Sequence, residues 1–315
     1  MEYRTLGNSD LKVSVVGLGT WAIGGDFWGT VDDKESIRSI QAAIDAGVTL
    51  VDTAPAYGGG HSEEVVGQAI RGRRDKVVVA TKVGIIRTED DFIRNLKPES
   101  IRREVDDSLR RLGVDTIDLW QIHWPDAATP LEDTLAELVR IKETGKFRYL
   151  GVSNFDTRLM DRVRRVCEIV SLQPHYSLLE RSIEQEILPY CVRNKIGVLG
   201  YGSLAGGILT GKFKNPPSFE AGDQRADFYG FFKEPTFGKV RKLTAAIEEI
   251  AKELDKTVAQ VVVNWTFSQK GVTSALVGAR TPAQALQNAQ AGDFSLSKEH
   301  LEAIDRAWKE AGLAG

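Results

Sequence analysis

The chain has 315 residues, of which 42% are hydrophobic and 27% are charged, and its formal net charge is −3. These values are typical of a globular protein with a large core, and they exclude a disordered or coiled-coil chain. The basic clusters at residues 71–74 and 162–165 are short and flanked by acidic residues, which indicates solvated helix faces and not a nucleic-acid surface. No stretch predicts a signal peptide or a membrane span, so we expect a cytoplasmic protein.

A short run of β-branched residues, a polar or glycine-rich turn and an amphipathic helix recur along the chain. This alternation predicts a parallel sheet. Eight runs are candidate strands, at residues 13–18, 48–51, 77–81, 117–122, 147–152, 169–172, 196–200 and 273–277.

The helices between these strands carry apolar residues at steps of three and four. Three of them stop at a glycine suited to a left-handed cap, namely Gly47, Gly113 and Gly145. Thr129, Pro130 and Glu132 form a capping-box pattern that predicts the start of the fourth helix. A final helix is predicted over residues 297–308.

Eight such units fit either an open doubly wound sheet or a closed barrel, and two features favour the barrel. Residues 3–6 and 11–13, joined by Gly7 and Asn8, predict a hairpin that could plug one barrel end. Polar residues or glycines follow nearly every strand, and in a barrel these positions meet at one face, where barrel enzymes place their active sites. We therefore predict a single TIM-barrel domain over residues 1–315, with a hairpin plug and extra C-terminal helices.

The connection over residues 204–236 is too long for a neutral linker. Its glycines and prolines are typical of a segment that turns repeatedly. It also carries four aromatic residues, Phe228, Tyr229, Phe231 and Phe232. We interpret this segment as a lid over the predicted site.

Two nucleotide-binding patterns are present in incomplete form. Residues 17–22 match the looser dinucleotide fingerprint, but further glycines follow where a helix should begin, so we disfavour a Rossmann site. Residues 206–212 approach a P-loop, but Phe213 stands where a hydroxyl is needed for magnesium.

Neither a metal site nor a disulfide is expected. The histidines show no metal-ligand spacing, at His61, His123, His175 and His300. Cys167 and Cys191 fall in helix-like segments and are expected to be buried thiols. A metal-dependent hydrolase is therefore disfavoured.

Four titratable residues are expected to meet at the barrel mouth, namely Asp52, Tyr57, Lys82 and His123. A tyrosine of pKa about 10 exchanges protons near neutrality only if its phenolate is stabilised, which the Lys82 ammonium beside it would do. Asp52 would keep the lysine charged, and His123 would orient a substrate carbonyl. Each residue also has a structural interpretation, such as an ordinary Asp52–Lys82 ion pair or a core histidine. Their joint placement favours catalysis.

The chain resembles an aldo-keto reductase over nearly its full length. The matching motifs are Asp-Thr-Ala-Pro-Ala-Tyr-Gly at residues 52–58, Thr-Lys-Val-Gly at 81–84, Ile-His-Trp-Pro-Asp at 122–126 and Gly-Val-Ser-Asn-Phe at 151–155. The loops are most similar to the bacterial subgroup of general stress and inositol-linked oxidoreductases, and they also resemble potassium-channel beta subunits. The resemblance implies reduction of small-molecule aldehydes or ketones with NADP(H), with Tyr57 as the proton donor. It equally allows a cofactor-binding sensor or auxiliary subunit with slow turnover.

The resemblance also implies a set of cofactor-binding positions, namely Thr20, Trp21, Asp52, Ser153, Asn154, Gln173, Tyr201, Gly202, Ser203, Leu204, Gly206, Gly278, Ala279, Arg280, Gln284, Gln287 and Asn288. Arg280, before a helix that begins near Pro282, suits a 2′-phosphate. A capped helix with a surface arginine is the structural alternative. Gln287 stands where the family usually has glutamate, so this sequence departs from the adenine-binding pattern there.

An apolar, aromatic substrate pocket is predicted from residues near the barrel mouth, namely Trp21, Trp28, Tyr57, His123, Trp124, Phe228 and Tyr229. Tryptophans near a barrel mouth also fit a core role. The sequence leaves open the physiological substrate, the direction of the reaction and the oligomeric state.

Overall fold

Eight parallel strands close into a barrel in the computed structural model, which describes residues 1–88, 91–220 and 222–313, without the side chains of residues 226 and 227. Its strands are β1 (Tyr3–Thr5), β2 (Lys12–Ser14), β3 (Val16–Gly19), β4 (Leu50–Asp52), β5 (Val78–Val83), β6 (Ile85–Arg87), β7 (Phe92–Arg94), β8 (Ile117–Ile122), β9 (Phe147–Ser153), β10 (Ser171–Gln173), β11 (Gly197–Gly200) and β12 (Val272–Gly278). The barrel runs from β3 to β12 in chain order without β6 and β7, and β12 pairs with β3 to close it. The predicted parallel barrel is confirmed.

Helices surround the barrel. They are α1 (Asp33–Asp45), α2 (His61–Ala69), α3 (Pro98–Leu112), α4 (Leu131–Glu143), α5 (Thr157–Arg164), α6 (Ile187–Arg193), α7 (Arg225–Phe228), α8 (Thr236–Glu253), α9 (Val258–Ser268), α10 (Pro282–Ala289) and α11 (Lys298–Glu310). The three predicted glycine stops have left-handed φ values, 91° at Gly47, 63° at Gly113 and 80° at Gly145. α11 is the predicted final helix, and its start is fixed by a capping box between Ser297 and His300.

The N-terminal hairpin closes the lower end of the barrel. β1 and β2 pair antiparallel, from Tyr3 opposite Ser14 to Thr5 opposite Lys12. A Cβ added at Gly7, in the hairpin turn, would lie 2.1 Å from the Val170 carbonyl oxygen, so only glycine fits against the start of β10. The hairpin shares one buried apolar cluster with inward-facing strand residues, namely Leu6, Leu11, Val13, Leu50, Ala80, Leu119, Val170, Leu199 and Leu276.

A second, larger core lies between the barrel and the helices. Outward-facing strand residues such as Val51, Val79 and Trp120 belong to it, and so do Ile40 of α1 and Ile101 of α3. Because side chains alternate along a strand, each barrel strand contributes to both cores. The inward positions nearest the C-terminal strand ends remain for the candidate site.

The strand boundaries differ in detail from those predicted. Residues 117–122 have the predicted bounds, whereas the other strands are shifted at one or both ends. The predicted strand over residues 13–18 is split at Val15. Its first part pairs with β1 in the plug and its second part joins the barrel, so the chain must bend between the two sheets.

The predicted capping box of the fourth helix is wrong. α4 begins at Leu131, and Pro130 occupies the position before it. The Thr129 hydroxyl donates instead to Asp126 Oδ2 at 2.7 Å, because that carboxylate organises the preceding turn and also accepts the Leu96 amide. Cys167 likewise lies beyond the end of α5, although Cys191 lies within α6.

The segment predicted to be a lid consists mostly of short turns. Residues 205–210 and 230–232 form 3-10 turns on either side of α7, and Ala221 lies outside the described residues. The Gln224 amide donates to the Phe27 carbonyl oxygen at 2.9 Å, and Trp28 forms a bridge with Asp223. The segment is thereby attached to the loop that follows β3. Closure of this segment over a ligand stays a prediction.

Candidate active site

Lys82 lies at the centre of the candidate site, and its side chain is fully buried. Its Nζ donates hydrogen bonds to Asp52 Oδ1 at 2.6 Å and to Tyr57 Oη at 3.1 Å. The third ammonium hydrogen is donated to the Thr53 carbonyl oxygen at 2.9 Å. All three donors of the lysine are therefore used. Since Lys82 donates to Tyr57 Oη, the hydroxyl hydrogen of Tyr57 is free to be donated elsewhere.

Tyr57 is positioned by a turn that requires glycines. Gly58, Gly59 and Gly60 have φ values of 65°, 63° and 98°, which residues with a Cβ rarely adopt. A Cβ on Gly58 would also lie 2.2 Å from the Gly24 carbonyl oxygen. The turn thus packs directly on the loop after β3, and Tyr57 faces the barrel mouth.

The environment of Tyr57 favours the protonated phenol. Burial raises the pKa of Tyr57 above its usual value of 10.0, the charge of Lys82 opposes this shift, and the charge of Asp52 adds to it. Burial by itself would lower the pKa of Lys82, but the charges of Asp52 and Tyr57 and their hydrogen bonds raise it by more. The pKa of Lys82 therefore lies above its usual value of 10.5, and the side chain stays an ammonium. The expected effect of Lys82 on the phenolate is present in sign, but burial is larger. At neutral pH the Tyr57 phenol is therefore protonated.

His123 follows β8 beside the tyrosine. Its ring meets the Tyr57 ring edge-on, with centroids 5.9 Å apart. Burial, and secondly the charge of Lys82, hold its pKa well below the usual 6.5. His123 is therefore neutral at physiological pH and can donate one ring N–H to an oxygen acceptor.

A cavity of about 870 Å³ opens above these residues at the C-terminal face of the barrel. It is lined by all the predicted cofactor and substrate positions except Ala279. Ala279, which follows β12, is instead buried in the outer core. Lys82 does not line the cavity. It lies beneath the cavity floor and contacts Tyr57, which does line it. The structure therefore brings the separate sequence motifs into one concave site.

A polar ledge lies along one wall of the cavity. Asn154 has a left-handed φ of 62°, and its Oδ1 accepts the Tyr201 hydroxyl at 3.0 Å. The Tyr201 ring stacks on His175, with centroids 5.1 Å apart and planes 10° apart. Ser153 donates to the backbone oxygen of Gln173 at 2.7 Å. These contacts hold a flat aromatic ring and several amide groups in fixed positions.

Glycines and two cations form the next part of the cavity. Gly206 and Gly207 have φ values of 67° and 94°, and a Cβ on Gly206 would lie 2.8 Å from the Tyr229 ring. The Arg225 guanidinium donates to the Gly206 carbonyl oxygen at 3.1 Å, and Lys212 lies on the same wall. Backbone amides beside cations are suited to phosphate oxygens. The sequence interpretation missed both cations, although Lys212 stood in the rejected P-loop pattern.

The far end of the cavity is the start of α10. The Thr281 hydroxyl accepts the Gln284 amide at 3.3 Å, and Pro282 occupies the first helical turn, as the sequence predicted. Arg280 donates to the Trp28 carbonyl oxygen at 3.1 Å and also to that of Thr30. Its guanidinium therefore lies between α10 and the loop after β3.

Aromatic side chains form another wall of the cavity. Trp21 meets Trp28 and Phe228 edge-on, at centroid distances of 5.4 and 5.5 Å. Phe27 extends this cluster to Phe228 at 5.1 Å and to Phe92 at 5.7 Å. Phe27, Phe92 and Ile85 line the cavity but were not predicted, because their loop and the β6–β7 hairpin had no local signal for that position. The result is an apolar wall facing Tyr57.

Across residues 1–88, 91–220 and 222–313, no group of three or more histidine, cysteine or acidic side chains could hold a metal ion. Within the same residues, no helix has the length and hydropathy to cross a bilayer.

Comparison with known proteins agrees with the motif resemblance. A sequence model of the aldo/keto reductase family matches residues 15–309. Aldo-keto reductase YhdN of Bacillus subtilis (strain 168) is 42% identical over 308 residues, spanning 97% of this chain and 93% of that protein. The NADH-specific methylglyoxal reductase of Escherichia coli (strain K12) is 36% identical over 329 residues, spanning 97% of this chain and 100% of that protein.

Some relatives are named for functions other than carbonyl reduction. A probable voltage-gated potassium channel subunit beta of Arabidopsis thaliana is 32% identical over 308 residues, spanning 93% of this chain and 92% of that protein. Among solved structures, a glycerol dehydrogenase of Gluconobacter oxydans is similar with a TM-score of 0.92 and 41% identity, covering 99% of this chain and 97% of that chain. The predicted family and the predicted barrel are both confirmed. The chain therefore belongs to the aldo/keto reductase family.

Proposed function

We propose that the protein reduces small aldehydes or ketones to alcohols with NADPH, and that Tyr57 is the proton donor. One observation carries this proposal: Lys82 Nζ donates to both Asp52 Oδ1 and Tyr57 Oη directly beneath a large cavity. The arrangement leaves a protonated phenol that faces the cavity and a fixed cation behind its oxygen. Such a group is suited to protonating an oxygen and then holding the resulting phenolate.

The cavity walls fit a dinucleotide. Ser153, Asn154 and Gln173 would hold the carboxamide, and Tyr201 would stack on the nicotinamide ring. The left-handed glycines, with Arg225 and Lys212, would hold the pyrophosphate. When bound, the nicotinamide supplies the hydride for the carbonyl carbon.

The residues of the chain supply the other half of the chemistry. Tyr57 donates its hydroxyl proton to the carbonyl oxygen, and Lys82 stabilises the phenolate that remains. His123, neutral at physiological pH, donates an N–H to the same oxygen and orients the carbonyl. Asp52 keeps Lys82 charged and in place. The aromatic wall excludes water and favours substrates with an apolar body.

The preference for NADPH rests on Arg280. Its guanidinium lies next to the N-terminus of α10, which suits a 2′-phosphate. Asp32 and Glu35 line a smaller cavity of about 380 Å³ beside it, and acidic groups there would instead suit a free ribose hydroxyl. The relative from Escherichia coli is named as NADH-specific, so the two cofactors must be compared directly.

Fluorescence titration with NADPH and NADH tests the cofactor proposal. We expect wild type to bind NADPH more tightly, and Arg280→Ala to lose most of that preference while binding of NADH changes little. Arg162→Ala, a surface arginine paired with Glu132 on the outside of the barrel, serves as the matched control. Equal affinity for both nucleotides in wild type would contradict the NADPH assignment, and binding of neither would contradict the reductase function.

A cofactor-binding sensor or auxiliary subunit is the second candidate, because one relative is named as a probable channel subunit. Oxidation of NADPH at 340 nm over a panel of aldehydes, ketones and quinones separates the two functions. Turnover with at least one carbonyl supports the reductase. Tight nucleotide binding with negligible turnover on the whole panel supports the sensor. A single domain and a cytoplasmic location stay predictions.

A further inference from the structure

Gln121 is a buried amide inside the barrel for which the mechanism above has no role. It belongs to β8, where Trp120 and Ile122 face the outer core and Leu119 faces the inner one. The Gln121 side chain is fully buried. Burying a primary amide costs free energy unless its hydrogen-bonding groups are paired. Its presence in the barrel interior therefore needs an explanation.

The contacts of Gln121 lead to Asp52. Gln121 Nε2 donates to Asp52 Oδ2 at 3.1 Å, and Gln173 Nε2 donates to the same oxygen at 2.8 Å. Gln173 Nε2 also approaches Gln121 Oε1 at 3.3 Å. The two carboxylate oxygens thus have separate partners, since Oδ1 accepts from Lys82 and Oδ2 accepts from two amides. This division fixes the plane of the Asp52 carboxylate.

The neighbouring strand leaves room for Gln121. Gly151 of β9 is its partner in the barrel register. A Cβ on Gly151 would lie 3.0 Å from Gln121 Cγ and 2.3 Å from Ser171 Oγ. The space that a side chain would fill at position 151 is used by Gln121, so the amide can reach across the barrel to Asp52.

The same contacts orient Gln173. Its amide nitrogen is used by Asp52 and Gln121, and among the described residues no donor reaches its amide oxygen. That oxygen is the group with which Gln173, which lines the cavity, can accept a carboxamide N–H. Gln121 therefore links the residue expected to hold the nicotinamide with the carboxylate behind the proton donor.

We propose that Gln121 is a positioning residue that acts through Asp52 and Gln173, aligning Lys82 behind Tyr57 and the Gln173 amide towards the cofactor. This proposal rests on the proposed reductase function. It assigns to Gln121 no contact with substrate or cofactor. Its effect must therefore be seen in the rate of turnover and not in the affinity for the carbonyl.

Gln121→Met tests the proposal, because methionine has a similar length but cannot donate to Asp52. The readouts are kcat and KM for 4-nitrobenzaldehyde, the Kd for NADPH and the unfolding temperature. We expect kcat to fall about tenfold or more, since a hydrogen bond to a charged group is lost, while KM changes by less than about threefold. Asn264→Leu, which removes a buried amide from α9 in the outer core, is the control and should retain the wild-type kcat.

Gln121→Glu gives a second, independent readout. When protonated, the new carboxyl can donate to Asp52, whereas its ionised form cannot donate and repels the Asp52 carboxylate. Its kcat relative to wild type should therefore fall as the pH rises. The groups nearest this position are Asp52 of β4 and Gln173 of β10, which share hydrogen bonds with Gln121, and Lys82 of β5, which is its register partner.

The outcomes separate the two proposals. Wild type that turns over no carbonyl removes the reductase function. Wild type that turns over, with Gln121→Met within twofold of its kcat, overturns the role of Gln121 and leaves the function intact. If Gln121→Met does not fold, Gln121→Glu decides: a ratio to wild type that falls with pH supports the role, and a ratio that is the same at every pH overturns it.

Discussion

The lower and upper halves of the barrel interior are built from the same strands, yet their chemistry is opposite. Three strands place an apolar residue below and a polar residue two positions later, namely Leu50 and Asp52 on β4, Ala80 and Lys82 on β5, and Leu119 and Gln121 on β8. Both members of each pair face inward because side chains alternate along a strand. The lower layer packs on the hairpin plug, whereas the upper layer lies beneath the cavity.

The comparison shows how a barrel can hold a buried ion pair without losing its fold. The apolar lower layer supplies the packing that stabilises the barrel. The upper layer gains little stability from Asp52 and Lys82, because desolvation of the two charges offsets their attraction. Its polar groups instead satisfy one another through hydrogen bonds. Substitutions in the two layers should therefore affect different measurements.

The largest effect is expected from Tyr57→Phe, which removes the proposed proton donor from the upper layer. We expect kcat to fall by about 10²–10⁴, the usual contribution of a positioned general acid. The Kd for NADPH should change by less than about twofold, because the ring remains. Steady-state turnover and a fluorescence titration measure the two quantities. A variant that keeps more than a tenth of the wild-type kcat would show that the proton comes from another group.

Leu119→Ala removes a large side chain from the lower, apolar layer. Leu119 is fully buried in the inner core, so we expect the free energy of unfolding to fall by about 2–5 kcal/mol. The kcat of the folded variant should stay close to that of wild type. Urea denaturation and turnover at low temperature provide the two measurements. Val166→Ala, at a half-exposed position, is the control and should change stability by about 0.5 kcal/mol or less. A large loss of kcat in Leu119→Ala would mean that the two layers are not independent.

Glu104 carries a partly buried carboxyl outside the barrel. It belongs to α3 and accepts hydrogen bonds from the Gly84 amide at 2.9 Å and the Ser100 hydroxyl at 3.1 Å. Burial raises its pKa from 4.5 to about 7. The folded state thus holds the Glu104 proton more tightly than the unfolded state does. The contribution of Glu104 to the free energy of unfolding is therefore fully present below pH 4.5 and is lost as the pH rises to about 7.

Glu104→Gln should remove that dependence, since the amide does not titrate. We expect a gain of up to about 3 kcal/mol above pH 7 relative to wild type, shrinking towards acid pH. The kcat should not change, because Glu104 lies outside the cavity lining. Unfolding measured from pH 5 to 8 is the test. Parallel pH profiles for the two proteins would show that Glu104 is ionised throughout.

The smallest effect is expected at the cavity rim. Lys212→Met should weaken NADPH binding about tenfold at low salt, because one cation near the proposed pyrophosphate position is lost. The difference should shrink as salt is added, since the lysine is exposed. Lys214→Met, two residues further along the chain, is the control and should bind like wild type. Equal affinities for the two variants would place the phosphates elsewhere.

Much of the site was predictable because its residues follow strands. Asp52 ends β4, Lys82 is the last residue but one of β5, and His123 follows β8. The C-terminal ends of barrel strands meet at one face. Gln121 was not predicted, although a polar residue between Trp120 and Ile122 in a buried strand was a usable signal. Alternation from Leu119 places it inward.

Other positions had no local signal. Thr129 matched a capping pattern, but Asp126 competes for its hydroxyl, and that competition depends on a turn near Leu96. Phe27 and Phe92 reach the cavity only because two loops that are distant in sequence pack together above it.

The succession of strands and helices, the hairpin plug, the helix stops and the family resemblance could all be inferred from the amino-acid sequence, since they follow from local periodicity, glycine conformation and contiguous motifs. Closure of the sheet into a barrel depends instead on the pairing of β12 with β3, which are distant in sequence. The tertiary structure set which side chains form hydrogen bonds with one another and which charges act on each titratable group. Lys82 has three hydrogen-bond partners, two of which come from beyond the end of β4, and the pKa of Tyr57 depends on how deeply that turn is buried. Hydrogen bonding and desolvation act over a few ångströms, so they depend on which chain segments meet and not on their order.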